Sequence, residues 1–174
     1  MACESIDPYL RECGKVDAGI RTNYLIAFAD LAKIDATGEV YSTSVNGIVS
    51  NIALASGKKF VQVDNTSKTG AFKASSTRAD NGVITSTQEY TMGIDNFSAK
   101  SNTFIDKLLG NPVVILTKMK SGKYGALGLD GTLFLSTAET TVDDATNGTS
   151  LTFTGDSSKR PAEVDATIVA SLIA

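Results

Sequence analysis

The sequence predicts a mainly β fold: a β-sandwich or half-barrel of about nine or ten strands with one flanking α-helix. Three observations predict it. Turn signals built on Gly, Asn and Asp recur roughly every 8–12 residues, the spacing of short antiparallel strands. The 174 residues include 20 Thr and 17 Ser but only 3 Pro, an inventory suited to strands and polar turns rather than helices. One segment alone, residues 97–109, carries a helical period. The length is that of one domain. No internal repeat or linker divides it, so residues 1–174 read as a single unit with an irregular N-terminal arm over residues 1–20.

The arm is predicted from Asp7-Pro8 and Cys13-Gly14, which are turn signals, and from apolar residues without a period. Met1 to Asp17 has charges throughout and no apolar run, so it is not expected to be a signal peptide. Tyr24 to Phe28 is nearly all apolar, as a strand buried on both faces would be. Asp30 to Asn46 is polar, with Val40, Tyr41 and Val45 standing out. Ile48, Ser50, Ile52 and Leu54 then suggest one face of a strand. Ser56-Gly57 offers a turn, and Phe60 to Val63 a return strand, so the spacing predicts a hairpin. Ala71 to Ala74 reads as a short strand. Asp80-Asn81-Gly82 is a strong turn, and Val83 to Met92 a long Thr-rich strand.

The helix is expected over about 97–109. Phe97, Ser101, Phe104, Ile105, Leu108 and Leu109 follow its spacing, Asn96 or Ser98 caps it, and Gly110-Asn111-Pro112 stops it. Phe97, Phe104 and Leu108 are expected to pack on the sheet. Val113 to Met119 reads as a buried strand. Lys120 to Lys123 turns into Tyr124 to Leu129, and Asp130-Gly131 into Thr132 to Ser136. Glu139 to Asn147 reads as a polar excursion. Ser150 to Thr154 and Val164 to Ile173 read as the last two strands.

Composition excludes several function classes. There is no His, so His-based acid–base chemistry, Ser-His-Asp triads and His-ligated metals are ruled out. Two Cys cannot build a four-thiolate zinc site in one chain. Cys3 and Cys13 read as reduced thiols. The net charge of −3 argues against tight nucleic-acid binding, which basic patches dominate. The longest aliphatic run, Val113 to Leu116, is far short of the roughly 20 residues of a membrane span, so no membrane anchor is expected.

Individual motifs point the same way. Ser56-Gly57-Lys58 and Ser121-Gly122-Lys123 fail as phosphate loops, because Ile52 and Thr117 stand where the earlier Gly is needed. Lys118, Lys120 and Lys123 read as a solvated hairpin tip. Asp143 and Asp144 lack the ligand period of a calcium loop. Asn65, Asn96 and Asn147 begin chance glycosylation patterns. No Ser sits in a nucleophile elbow. The chain is therefore expected to be no enzyme and to take no cofactor or metal.

From the helix onward the order of features is familiar. Phe104-Ile105-Asp106-Lys107-Leu108-Leu109 leads into Val113-Val114-Ile115-Leu116. Then come Ser121-Gly122-Lys123-Tyr124-Gly125-Ala126-Leu127-Gly128 and Ser150-Leu151-Thr152-Phe153-Thr154-Gly155, followed by Pro161 and Val164. This resembles the tail tube proteins of bacteriophages, especially tube-like structural proteins of phages that infect Bacteroides-type hosts. The Cys-Gly arm and the entry from Gly19 to Phe28 are similar too. Residues 35–95 match only in strand order.

The resemblance implies rings of six copies whose inner sheets join into one barrel. The rings stack into a tube in the virion tail, after assembly in the host cytoplasm. Its partners are further copies, other tail or neck proteins and the tape-measure protein, and DNA passes without tight binding. Val40, Tyr41 and Val45 are then expected to contact a neighbouring ring, and Thr85, Thr87 and Glu89 to line the lumen. Another virion part of the same fold (tail-ring, tail-terminator or capsid decoration protein) is the nearest alternative. A carbohydrate-binding or adhesion module is disfavoured, because Trp is absent and aromatics are 7%.

Overall fold

The computed structural model describes residues 19–34, 38–64, 69–95, 97–144 and 146–173. Cys3, Cys13 and most of the predicted arm lie outside them. In chain order the strands are β1 Ile20–Ala27, β2 Tyr41–Thr43, β3 Val49–Ile52, β4 Val61–Val63, β5 Ala71–Arg78 and β6 Ile84–Asp95. Helix α1, Ala99–Leu109, precedes β7 Val113–Met119, β8 Tyr124–Leu127, β9 Phe134–Val142, β10 Asn147–Ser157 and β11 Ala162–Val164, and α2, Ala166–Leu172, follows.

Two sheets form. One has seven strands in the order β2-β3-β11-β8-β7-β1-β4, the other four in the order β5-β6-β10-β9. The pairs are antiparallel except β3 with β11. The predicted β-sandwich with a flanking helix is the observed class. Among the described residues no helix is long and apolar enough to cross a membrane.

Two apolar cores explain the sequence pattern. Between the sheets, Leu25, Val113, Ile115 and Leu127 meet Tyr90, Met92, Leu151 and Phe153, and Ile105 and Leu108 of α1 join them. On the other face of the seven-stranded sheet, Tyr24, Ile26, Val114 and Leu116 are covered by Phe60, Leu129 and the Val169 and Leu172 of α2. The central strands β1 and β7 are thus buried on both sides. That is why Tyr24 to Phe28 and Val113 to Leu116 are continuous apolar runs rather than alternating ones.

Several expectations are corrected. Val164 ends β11 and the residues after it are not a strand: Asp165 accepts a hydrogen bond from the Thr167 N–H and caps α2, whose Val169 and Leu172 face the core. The β-branched Thr167, Ile168 and Val169 suggest a strand, but capping and packing of one face override propensity. The run at 48–54 does not pair with 60–63. β3 pairs with β2, and β4 crosses to the far edge beside β1. The turn at Gly57 exists, with φ of +74°, yet it redirects the chain instead of closing a hairpin. The buried positions of β3 are Val49 and Ile52.

The described residues of the polar excursion, 139–144 with 146 and 147, are the far end of the β9–β10 hairpin and are exposed on both faces. Its turn is closed by Asp143 N–H to Thr146 O and Thr146 N–H to Asp143 Oδ1. The tally is eleven strands and two α-helices among the described residues.

Ser98 and Ser101 cap α1 reciprocally. Phe97 therefore precedes the helix. It is 57% exposed and does not pack on the sheet. Phe104 is half-buried against the core and Leu108 is buried, so only part of the predicted helix face makes the contact.

Candidate assembly surface

The four-stranded sheet turns one face to the interior and the other away from it. On β6, Ser86, Gln88, Tyr90 and Met92 are buried. Side chains alternate along a strand, so Thr85, Thr87 and Glu89 share the outer face. The register continues this face across neighbours: Lys73 lies opposite Glu89 and Glu89 opposite Thr154, while Ser75, Thr87 and Asp156 form the next row. Thr87 Oγ1 donates to Asp156 Oδ1 at 2.7 Å.

Hydroxyls dominate this face. Among the described residues its carboxylates are Glu89, Asp95, Glu139 and Asp156, set against the ammonium of Lys73.

Buried polar ties hold β6 in place from behind. The Gln88 amide donates to Lys159 O at 3.2 Å and accepts from the Gly128 N–H at 3.1 Å. Gly128 has φ of +75°, and an added Cβ would stand 2.4 Å from Val113 O, so this loop admits only glycine. Ser76 donates to Ser86 at 3.2 Å. Tyr90 reaches Asn23 on β1. Gln88, Asn23 and Tyr90 do not stand out in the sequence; their one signal is a polar group at the inward phase of a strand.

Both ends of this sheet, β5 and β9, are edges. Unpaired N–H and C=O groups along an edge are a template for another chain. Each edge also exposes an apolar side chain on its sandwich side, Phe72 (36%) on β5 and Val142 (62%) on β9.

The residues expected to contact a neighbouring ring divide. Val45 is fully exposed at the tip of the β2–β3 hairpin, which Ser44 N–H to Ile48 O closes at 2.8 Å. Val40 is buried in its own chain's core, contrary to a contact role. Tyr41 is half-buried and occupied: the Lys159 ammonium donates to its hydroxyl at 3.2 Å and lies 5.3 Å from its ring. That hydrogen bond, with help from Glu39, holds the Lys159 pKa above its ordinary value.

The lysine tip is likewise engaged locally. Lys118 lies over the Tyr124 ring and Lys123 is 3.5 Å from Glu163. No protein-family model, curated protein or solved structure matches the chain.

Proposed function

We propose that the chain is a virion structural protein that assembles into stacked rings of six and forms a phage tail tube, a conduit for the genome. The observation that carries this reading is the four-stranded sheet, whose end strands β5 and β9 pair with no further strand among the described residues and whose outer face is hydroxyl-rich and net acidic.

An even number of antiparallel strands supports it. When copies follow one another by rotation, β9 of one runs antiparallel to β5 of the next, so every junction repeats the pairing within the sheet. Closing the ring abolishes all such edges. The contact is heterologous, and its rotation closes. Six copies give 24 strands. At a strand spacing near 4.8 Å and a tilt of about 35–45°, opposite backbones are roughly 45–50 Å apart. That leaves room for a nucleic-acid duplex inside the side chains.

A face whose described residues set one ammonium, Lys73, against four carboxylates and many hydroxyls offers phosphates little cationic anchorage. Negative-stain microscopy of the purified chain tests the reading. Hollow tubes or stacked rings are expected; isolated monomers at every concentration refute it, and so does decoration of capsids without tubes.

A further inference from the structure

We propose that the ring closes in one particular register, with Lys73 of β5 opposite Glu139 of β9 on the next copy. This rests on the ring reading above and specifies its junction.

The backbone phase restricts the choice. Ala79 N–H donates to Val83 O at 2.9 Å, marking 79/83 as a hydrogen-bonded pair. Such pairs recur every second residue, so Ser75/Thr87 and Lys73/Glu89 are of the same kind. The outer-face residues of β5 thus spend their N–H and C=O groups inside the sheet. Phe72, Ala74 and Ser76 turn theirs to the free edge. On β9, Asp143 N–H to Thr146 O sets the phase the same way, and Ala138, Thr140 and Val142 face outward along the edge. The β9 irregularity lies nearer Phe134, opposite Thr152 and Phe153, so residues 137–142 are regular. A junction must join these two sets, which allows only steps of two residues. Lys73 then faces Thr137, Glu139 or Thr141.

Barrel geometry separates the three. Glu139 is level with Ser150 and Gly93, and therefore with position 69 of the extended β5 register. Seating Glu139 opposite Lys73 offsets each copy by four residues, which makes the shear of six copies equal to their strand number. The tilt is then about 35°, as in the eight-stranded barrel of shear 8. The Thr137 and Thr141 registers give about 20° and 47°, outside the usual range of about 35–45°.

The sign agrees as well. For L-residues, the outer-face positions of an upward β5 direct their N–H and C=O groups to the right of an observer in the lumen. β6, β10, β9 and the next copy follow in that order. Right-handed strand coiling makes the rows rise to the right, so the next β5 is met at a higher residue number, as 73 is to 69.

Side chains favour the same register. It pairs an exposed lysine with an exposed glutamate, whereas the other two leave both charges opposite neutral partners. On the sandwich side it sets Ala74 against Ala138 and places Phe72 diagonal to Val142, within cross-strand reach.

Cysteine cross-linking tests the register in a Cys3→Ser, Cys13→Ser background. Positions 73 and 139 form a pair without backbone hydrogen bonds, whose Cα atoms lie about 4.5 Å apart, within the usual disulfide span. Lys73→Cys with Glu139→Cys is expected to give, on oxidation, a ladder of covalent oligomers up to six chains. Lys73→Cys with Thr137→Cys or with Thr141→Cys is expected to give none. In a parallel series Lys73→Glu and Glu139→Lys each abolish assembly, and the double exchange restores it. A ladder from either neighbouring pair overturns the register but leaves the ring. Assembled rings without a ladder from any of the three pairs overturn the β5–β9 junction. A wild-type chain that stays monomeric overturns the ring reading itself.

Discussion

Tyr90 on β6 donates its phenolic hydrogen to Oδ1 of Asn23 on β1 at 2.5 Å, a polar tie across the apolar space between the two sheets. Both residues are fully buried. The Asn23 Nδ2 has no hydrogen-bond partner among the described residues, so the amide depends on Tyr90. Tyr90→Phe should cost about 1–3 kcal/mol, the penalty for an orphaned buried polar group. Adding Asn23→Leu removes both partners and should recover most of the loss. Urea unfolding of the two variants checks this; equal stability of Tyr90→Phe and wild type refutes it.

Burial also pushes the Tyr90 hydroxyl well above its ordinary value of 10.0. The folded state thus keeps a proton that the unfolded chain releases. The contribution is complete below about pH 10 and declines as pH rises above it. Lys159, raised by its bond to Tyr41, acts in the same direction. The informative comparison is therefore wild type against Tyr90→Phe. The variant should show a shallower alkaline fall in thermal midpoint between neutral pH and about pH 11. Parallel curves would count against the assignment.

Helix α1 and Phe97, the residue before its cap, supply an ordered series. Leu108 is buried, Phe104 half-buried and Phe97 exposed. Leu108→Ala should cost about 2–5 kcal/mol. Phe104→Ala should cost less than Leu108→Ala, because its ring already meets solvent. Phe97→Ala should stay within about 0.5 kcal/mol of wild type. Denaturant midpoints at a common m-value rank the three, and a larger loss at Phe97 than at Leu108 would contradict the packing.

The sheet-and-helix class was legible because β1 and β7 are saturated with apolar residues and because residues 97–109 alone carry a helical period. On β6 the strand period alone put Thr85, Thr87 and Glu89 on one face, since the inward Ser86 and Gln88 are as polar as they are and give no hydropathy contrast. Topology was not legible. Nothing local to Val61 says that it pairs with Leu25 rather than with the preceding strand, since sheet order is fixed by tertiary packing. α2 was hidden because seven residues hold only two buried apolar positions. Val40, Tyr41 and Val45 look alike in sequence as apolar residues in a polar stretch. Only the β2–β3 pairing divides them into core, flank and tip.

Val45 carries the next prediction. It stands fully exposed on a hairpin tip, where no core cluster of the described residues includes it. Val45→Ser should leave unfolding stability within about 0.5 kcal/mol while shortening tubes or raising the concentration at which rings stack. Sedimentation and tube-length measurements read this directly. Tubes of normal length from Val45→Ser would place the ring-to-ring contact elsewhere.

The last prediction concerns what the proposed lumen would do to DNA. Along β6 the outer face offers Thr85, Thr87 and Glu89, and its neighbours add Asp156 and Thr154, so phosphates meet hydroxyls and carboxylates. In the proposed junction the Lys73 charge is answered by Glu139, so the one ammonium among this face's described residues is neutralised as the ring forms. The lysines of the β7–β8 turn sit on the other sheet beside Tyr124 and Glu163. Assembled protein should therefore bind duplex DNA no tighter than the usual non-specific range of about 10⁻⁴–10⁻⁶ M at physiological salt. Thr87→Lys with Glu89→Lys should convert the wall into a cationic one. Six copies would then add twelve ammonium groups per ring, and binding should tighten by orders of magnitude with a steep salt dependence. A filter-binding series over salt concentration measures both. Tight binding by wild-type assemblies would contradict a non-stick wall. An unchanged salt slope in the double variant, with tubes intact, would show that this face does not line the channel.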